Sequence, residues 1–496
     1  MAEPYDLLVI GGGVNGAGIA RDAAGRGLSV LLCEKGDLAQ GTSSRSGKLI
    51  HGGLRYLEYY EFRLVREALI EREVLLRAAP HIVWPMRFVL PHSREQRPAW
   101  MIRLGLFLYD HLGGRKRLPG TRRLDLRRAP EGEPVRETYR LAFEYSDCWV
   151  EDARLVVLNA LDASARGADI RVQTELLSAR RAGGLWQALL RSPDGGMAEV
   201  SARGMVNAAG PWVEKILTGA IGANTPRRVR LVKGSHIVVP KFWQGSHAYL
   251  LQNDDKRVIF VNPYEDDLCL IGTTDIPYEG KIDDVAIDDD ERNYLCRAVS
   301  RYMRKELRPA DIVQEFSGVR PLYDDRADNP SAVTRDYVFD LEAPAGGAPL
   351  LSVFGGKITT FRKLAEHALL KLKPFFPHMQ STWTDRAPLP GGDMEDALFA
   401  PWAEAFARRF SFLPPPLARH YARQYGTRAL ALLDGAKTLD DLGQYFGGLL
   451  YAREADFLMR TEWAMTAEDI LERRTKHLLH LTPAQRDAFA AWMARA

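Results

Sequence analysis

The sequence predicts an α/β chain in three parts: a doubly wound parallel-sheet domain, an antiparallel β domain and a C-terminal all-helical domain. Three observations lead there. A glycine-rich turn sits between two apolar, strand-length runs at the N-terminus. Several apolar runs of strand length, ended by Gly or Pro, lie between residues 229 and 319. Beyond residue 395 the chain is rich in Ala, Leu, Arg and Glu at helical spacing.

The first part rests on residues 5–34. Tyr5 to Ile10 reads as a buried strand, Gly11-Gly12-Gly13-Val14-Asn15-Gly16 follows at once, and Ala17 to Gly27 has helical composition. Leu28 to Cys33 is a second apolar strand, closed by Glu34. This strand, G-x-G-x-x-G, helix, strand, acid order is that of a Rossmann-like dinucleotide-binding unit. Gly11 permits the tight turn, Gly13 lets the backbone approach a pyrophosphate, and Gly16 lets the helix lie close to the sheet. The helix N-terminus supplies free N–H groups and a favourable dipole for the phosphates. Glu34 is placed to accept ribose hydroxyls.

Beyond Glu34 and Lys35 the chain departs from a nicotinamide-type domain. Gly41 to Leu57 includes Thr42, Ser43, Ser44, Lys48, Leu49, His51, Gly52 and Gly53, then Leu54, Arg55 and Tyr56. Its amides, hydroxyls and bases suit a large, permanently held cofactor. The segment resembles the signature of FAD-dependent glycerol-3-phosphate dehydrogenases. Asn207-Ala208-Ala209-Gly210-Pro211-Trp212 resembles the second flavin-contacting turn of the wider glycine-oxidase-like flavoproteins. The run Gly355-Gly356-Lys357-Ile358-Thr359-Thr360-Phe361-Arg362-Lys363 resembles the family's C-terminal flavin signature. The resemblance covers the whole chain and implies an FAD-binding domain under an antiparallel substrate (cap) domain. FAD contacts are implied for the named residues of the first signature, for Ala209, Gly210 and Trp212, and for Gly355 to Thr359.

Composition agrees with an ordinary globular chain of two or three domains: 496 residues, 46% hydrophobic and 26% charged. Cys33, Cys148, Cys269 and Cys296 are widely spaced without a C-x-x-C pair, which argues against a disulfide framework, an iron–sulfur cluster or a zinc site. No metal-ligand spacing stands out. The first strand begins within five residues of Met1, leaving no room for a signal peptide, and no run of eighteen apolar residues is present.

Net charge is only +3, but residues 94–128 hold ten Arg or Lys against three acids. Within that span, helical spacing puts Met101, Leu104, Leu108 and Leu112 on one apolar face, flanked by Trp100 and Phe107, with Arg103 and Asp110 opposite. Three readings stand: an interfacial anchor on an anionic membrane, a core helix beside a solvated loop, and nucleic acid binding. No nucleic-acid recognition module accompanies the bases. The resemblance favours the membrane, because bacterial members of the family sit peripherally on the inner membrane from the cytoplasmic side and pass electrons to quinone. A homodimer is compatible with it.

The signatures place a discontinuous FAD-binding domain at residues 1–78, 149–226 and 327–387. A substrate domain then occupies 79–148 and 227–326, with strands expected at Val229–Val239, Val258–Pro263, Leu268–Thr274 and Ile312–Val319. Pro388 to Gly392 reads as a linker. Residues 393–496 form the helical domain, with a periodic run from Ala467 to Leu481.

Hydride removal from a secondary alcohol needs a proton acceptor, positive charge beside the reduced flavin and a clamp on the substrate. His236, in the apolar strand Lys233 to Pro240, is either a satisfied core residue or that acceptor. The glycine two residues earlier and the family resemblance favour the acceptor. Arg320, at a strand end before Pro321, is placed at a cavity mouth, and the resemblance sets it near the substrate hydroxyl. Arg55, Tyr56 and Arg335 are the phosphate-clamp candidates. Lys357 supplies charge beside the flavin, and Thr274 is a candidate substrate contact. Which of His236 and Arg320 takes the proton stays open. The resemblance implies oxidation of sn-glycerol 3-phosphate to dihydroxyacetone phosphate with membrane quinone as acceptor. An oxygen-using oxidase and a non-catalytic flavin-bearing scaffold are the alternatives.

Overall fold

A computed structural model describes residues 3–93, 95–223, 227–253, 255, 257–323 and 336–495. Two sheets organise them. The first runs, in spatial order, Val338–Glu342, Leu350–Phe354, Met197–Asn207, Tyr5–Ile10, Val30–Cys33 and Asp169–Arg171. From Leu350–Phe354 onward the neighbours are parallel, with Leu7 opposite Val30 and Asn207 opposite Ser352. Parallel central strands are buried on both faces, hence the continuous apolar run Leu7-Leu8-Val9-Ile10. The helices Val14–Gly25, Asp152–Ala165 and Phe361–Leu372 cover one face through small residues, Ala17, Ala20, Ala160 and Ala368 among them.

The second sheet contains Val83–His92, Leu141–Val150, Ala248–Gln252, Val258–Tyr264, Leu268–Gly272 and the long strand Val229–Pro240. Gln314–Tyr323 pairs along almost the whole of that long strand. All four strands expected between 229 and 319 are present, with ends shifted by up to four residues. Leu49–Ile50, from the first signature, joins this sheet and not the first.

The C-terminal region has its own core, from Phe406 to Met493. Two differences from expectation stand out there. The run 467–481 is not a regular helix: Asp469–Arg474 is a π-type turn, Lys476 is left-handed (φ 68°), and His477–Leu479 is a single 3-10 turn. The side chains of that run have partners in two domains: Arg473 and Arg474 pair with Asp37, and His477 with Glu454. Residues 388–392 are packed and not a loose tether. Leu389 is buried and its N–H donates to the Ala78 carbonyl at 2.8 Å.

Candidate active site

Four turns converge because they follow the carboxyl ends of neighbouring parallel strands, where open α/β sheets place their ligands. These are the turns after Ile10, Cys33, Asn207 and Phe354. Gly11 has φ +105°, and a Cβ there would stand 2.7 Å from the Ala208 carbonyl oxygen. A Cβ on Gly16 would stand 1.9 Å from the Gly11 carbonyl oxygen. Glycine is therefore required at both, and the helix that begins at Val14 points its N-terminus into the space they leave. That space opens into one cavity of about 1630 Å³. It runs from Gly11, Gly13 and Glu34 past Thr42 to Gly47, His236 and Arg320, and on to Gly355–Thr359, Arg55 and Tyr56.

At the Glu34 end both carboxylate oxygens already take backbone N–H groups, Gly12 at 2.7 Å and Gly36 at 2.8 Å. Burial raises the pKa of Glu34 against those two bonds. Lys35 lies over the Trp212 ring at 4.2 Å, closing the wall. Thr42 donates to the Val319 carbonyl at 2.6 Å, and Ser43 accepts the Val14 N–H at 3.0 Å. Asn15 reaches across to the Gly355 carbonyl at 3.2 Å, leaving its own buried Oδ1 without a partner.

Midway along the cavity, His236 is 4% exposed and neither ring nitrogen has a hydrogen-bond partner. Its ring lies on Phe316 (centroids 4.9 Å apart, 19° between planes), the residue paired with it on the adjacent strand. The other neighbour is Gly272, where a Cβ would come within 2.1 Å of the ring, so that glycine makes the room the imidazole occupies. Burial first, then the nearby charges of Arg320 and Lys48, push the pKa of His236 down to about 3. It is neutral at working pH, and an unprotonated imidazole on a cavity wall can accept a proton.

Arg320 faces the same space, held by the Thr274 carbonyl and Asp275 Oδ1, each 2.8 Å from Nη2. Behind it Glu291 is buried, accepting hydroxyl bonds from Ser235 (2.8 Å) and Thr274 (2.7 Å) and pairing with Lys233 at 2.8 Å. Lys357 rests on the Tyr56 ring at 3.9 Å. Thr359 exchanges hydrogen bonds with the His51 backbone at 3.3 and 3.4 Å, joining the first and last signatures.

Several expected contacts prove to be supports behind the wall. Thr274 is fully buried, its hydroxyl spent on Glu291 and the Ser235 N–H, so it is not a substrate contact; Thr273 and Asp275 line the cavity instead. Thr274 lies in the loop between the strands Leu268–Gly272 and Ile276–Pro277, and its bonds to Glu291 and the Ser235 N–H hold it inward. Lys48 sends its ammonium to Asp152 (2.7 Å) and the Ser44 carbonyl (3.1 Å), away from the cavity, and burial lowers its pKa against the pull of Asp152. Gly52 gives its N–H to Tyr109 at 2.7 Å, and Ser44 also lies off the wall. Arg335 lies outside the described residues. Sequence reasoning missed Asn262, which lines the cavity, donates to the Gly47 carbonyl at 3.3 Å and keeps a buried Oδ1 unpaired. Its signal was a lone amide in the apolar strand Val258–Tyr264.

A family model described as FAD dependent oxidoreductase matches residues 6–362, and one described as C-terminal domain of alpha-glycerophosphate oxidase matches residues 382–494. The chain belongs to the FAD dependent oxidoreductase family. Among relatives, a D-erythritol 1-phosphate dehydrogenase of Brucella abortus is 62% identical, covering 100% of this chain and 99% of the relative. A glycerol-3-phosphate dehydrogenase of Pseudomonas aeruginosa is 56% identical, covering 98% and 94%. The solved glycerol-3-phosphate dehydrogenase of Bacillus halodurans, complexed with FAD, superposes with a TM-score of 0.79 at 26% identity, over 99% of this chain and 90% of that one. FAD is thus the cofactor of this flavoprotein. The glycine cradle, the helix N-terminus and the unpaired oxygens of Asn15 and Asn262 fit a long, polar, phosphate-bearing group.

Proposed function

We propose that this flavoprotein oxidises the secondary hydroxyl of sn-glycerol 3-phosphate to give dihydroxyacetone phosphate, and that a membrane quinone takes the electrons. The observation that carries this reading is a neutral, unpartnered His236 beside Arg320 on the wall of the cavity that cradles FAD. FAD supplies the hydride acceptor at N5. His236 accepts the hydroxyl proton at a ring nitrogen, and the Arg320 guanidinium stabilises charge developing on the substrate oxygen. Lys357 adds positive charge on the flavin side. Arg55, Tyr56 and Arg335 clamp the phosphate dianion, which suits arginine forks. The P. aeruginosa relative is named for this activity.

A second substrate is favoured by the 62% identical Brucella relative, named for D-erythritol 1-phosphate. It presents the same phosphate and secondary alcohol on a chain one carbon longer. The test is anaerobic. Glycerol 3-phosphate should bleach the yellow protein, while glycerol and glycine should not. Bleaching about ten-fold or more faster with the erythritol phosphate would transfer the assignment to that substrate. Bleaching by neither would end both readings, and rapid peroxide formation without quinone would make the enzyme an oxidase.

Peripheral attachment to the inner membrane belongs to the same proposal. No helix of the described residues is long and apolar enough to cross a bilayer. The helix Ala99–Leu112, however, turns Trp100 (64% exposed), Leu104 and Phe107 (56%) outward, next to exposed Tyr59, Tyr60 and Phe62. Trp100, Met101 and Leu104 also line the cavity mouth, so a lipid-soluble acceptor would meet the cavity where the protein meets lipid.

A further inference from the structure

The core of the C-terminal domain encloses a polar cluster that is no part of the flavin cavity. Glu454, on the helix Ala452–Thr461, is fully buried. His420, on the helix Pro415–Tyr425, places Nε2 2.7 Å from Glu454 Oε1, and His477 places Nε2 3.2 Å from Oε2. The donor atoms of the three residues all lie within 4.8 Å of one another. Tyr425 donates its hydroxyl to Oε1 at 2.7 Å, holding the carboxylate from one side.

A carboxylate taken out of water needs a compensating cation. Elsewhere in this domain arginine provides it: Glu462 is met by Arg154 and Arg428, and Asp469 by Arg473. Glu454 differs. Among the described residues its ion-pair partners are two imidazoles, with no arginine or lysine. Two imidazole nitrogens and one carboxylate oxygen within 4.8 Å of one another are a donor set that suits a borderline divalent ion, zinc above all, with a fourth position left for water. Tetrahedral ligands about 2.0–2.1 Å from zinc stand about 3.3 Å from one another. His477 Nε2 stands at about that spacing from Oε2, and His420 Nε2, 2.7 Å from Oε1, would withdraw by about 0.6 Å. The His420 side chain is 9% accessible, which gives an ion an entry edge.

We propose that His420, Glu454 and His477 form a zinc site with three protein ligands. It ties two helices of the C-terminal domain to the turn His477–Leu479. The residues just before that turn dock on the nucleotide-binding domain. Lys476 stands 4.0 Å from Asp152, and Arg474 pairs with Asp37 at 2.7 Å. The ion would therefore stiffen the segment through which one domain grips the other.

The test uses the FAD-loaded full chain, expressed with zinc in the medium and dialysed without chelator. Elemental analysis should find about one zinc per chain, falling below about 0.1 in His420→Asn and in His477→Asn. Wild-type protein with full FAD but below about 0.1 zinc, unchanged in melting temperature by added ZnCl2, would overturn the proposal and leave a hydrogen-bonded His–Glu–His cluster. Zinc retained in the variants would overturn it too. Should the variants not fold, X-ray absorption of the wild-type zinc decides: two imidazole nitrogens with oxygen donors support the site, and sulfur donors or a lack of imidazole scattering refute it.

Discussion

At the scale of single residues, His236 owes its chemistry to what surrounds it. With both nitrogens unpartnered and the ring against Phe316, the cost of burying charge keeps it neutral. The unfolded chain binds a proton on this residue below about pH 6.5, while the folded chain does so only near 3. Its burial therefore costs nothing above about 6.5 and destabilises the fold increasingly as pH falls through that window. The acid limb of the flavin-reduction rate should lack an inflection near 6.5 from this group. His236→Ala should slow flavin reduction by about 10²- to 10⁴-fold while changing substrate affinity far less. Stopped-flow reduction against substrate concentration separates the two, and equal losses in both would remove His236 from the acceptor role.

At the scale of elements, the helix Ala99–Leu112 shows how a face is chosen. Spacing puts Met101, Leu104, Leu108 and Leu112 on the apolar side, but the face against the core is Leu106 and Tyr109, with Ile102 and Leu112 partly packed. The helix is apolar almost all round, so a helical wheel cannot tell the inward stripe from the outward one. Tyr109 decides it, because its hydroxyl is fixed by Asp147 at 2.8 Å and accepts the Gly52 N–H. Phe107 faces outward and does not line the cavity. Phe107→Asp should therefore weaken co-sedimentation with anionic phospholipid vesicles by about ten-fold, for the loss of one inserted ring. Flavin reduction by substrate should stay unchanged. Undiminished vesicle binding would remove this helix from the membrane contact.

At the scale of the whole molecule, the C-terminal domain is bound to the nucleotide-binding domain by buried ion pairs. Arg473 and Arg474 both reach Asp37 at 2.7 Å, three residues beyond Glu34, and the buried Arg154 pairs with Glu462. Removing one partner strands the other in a low dielectric. Arg474→Ala should cost about 3–5 kcal/mol, reduced by whatever Arg473 retains. Heating while monitoring flavin fluorescence should show earlier release of FAD in this variant, because the loss falls beside the cradle. An unchanged release temperature would mean that the cradle is independent of the domain below it.

The local devices are legible along the chain. Gly11 and Gly16 are legible because a backbone that must approach another backbone within van der Waals distance admits no Cβ. Strands and the first helix are legible because the apolar period is local. The cofactor signatures around Thr42, Gly210 and Lys357 were legible as runs, and His236 as a polar residue set oddly in an apolar strand; Arg320 was legible as a base before a proline, but the strand expected to end there continues through Pro321 to Tyr323. Packing between distant segments turned the loop residues Thr274 and Lys48 into supports and brought Asn262, on the strand Val258–Tyr264, to the cavity wall. It alone gathered His420, Glu454 and His477, which lie on three separate elements. The reason is physical. Propensity and period act over a few residues, whereas the pairing of a buried charge is settled by whichever distant side chain the packing brings to it.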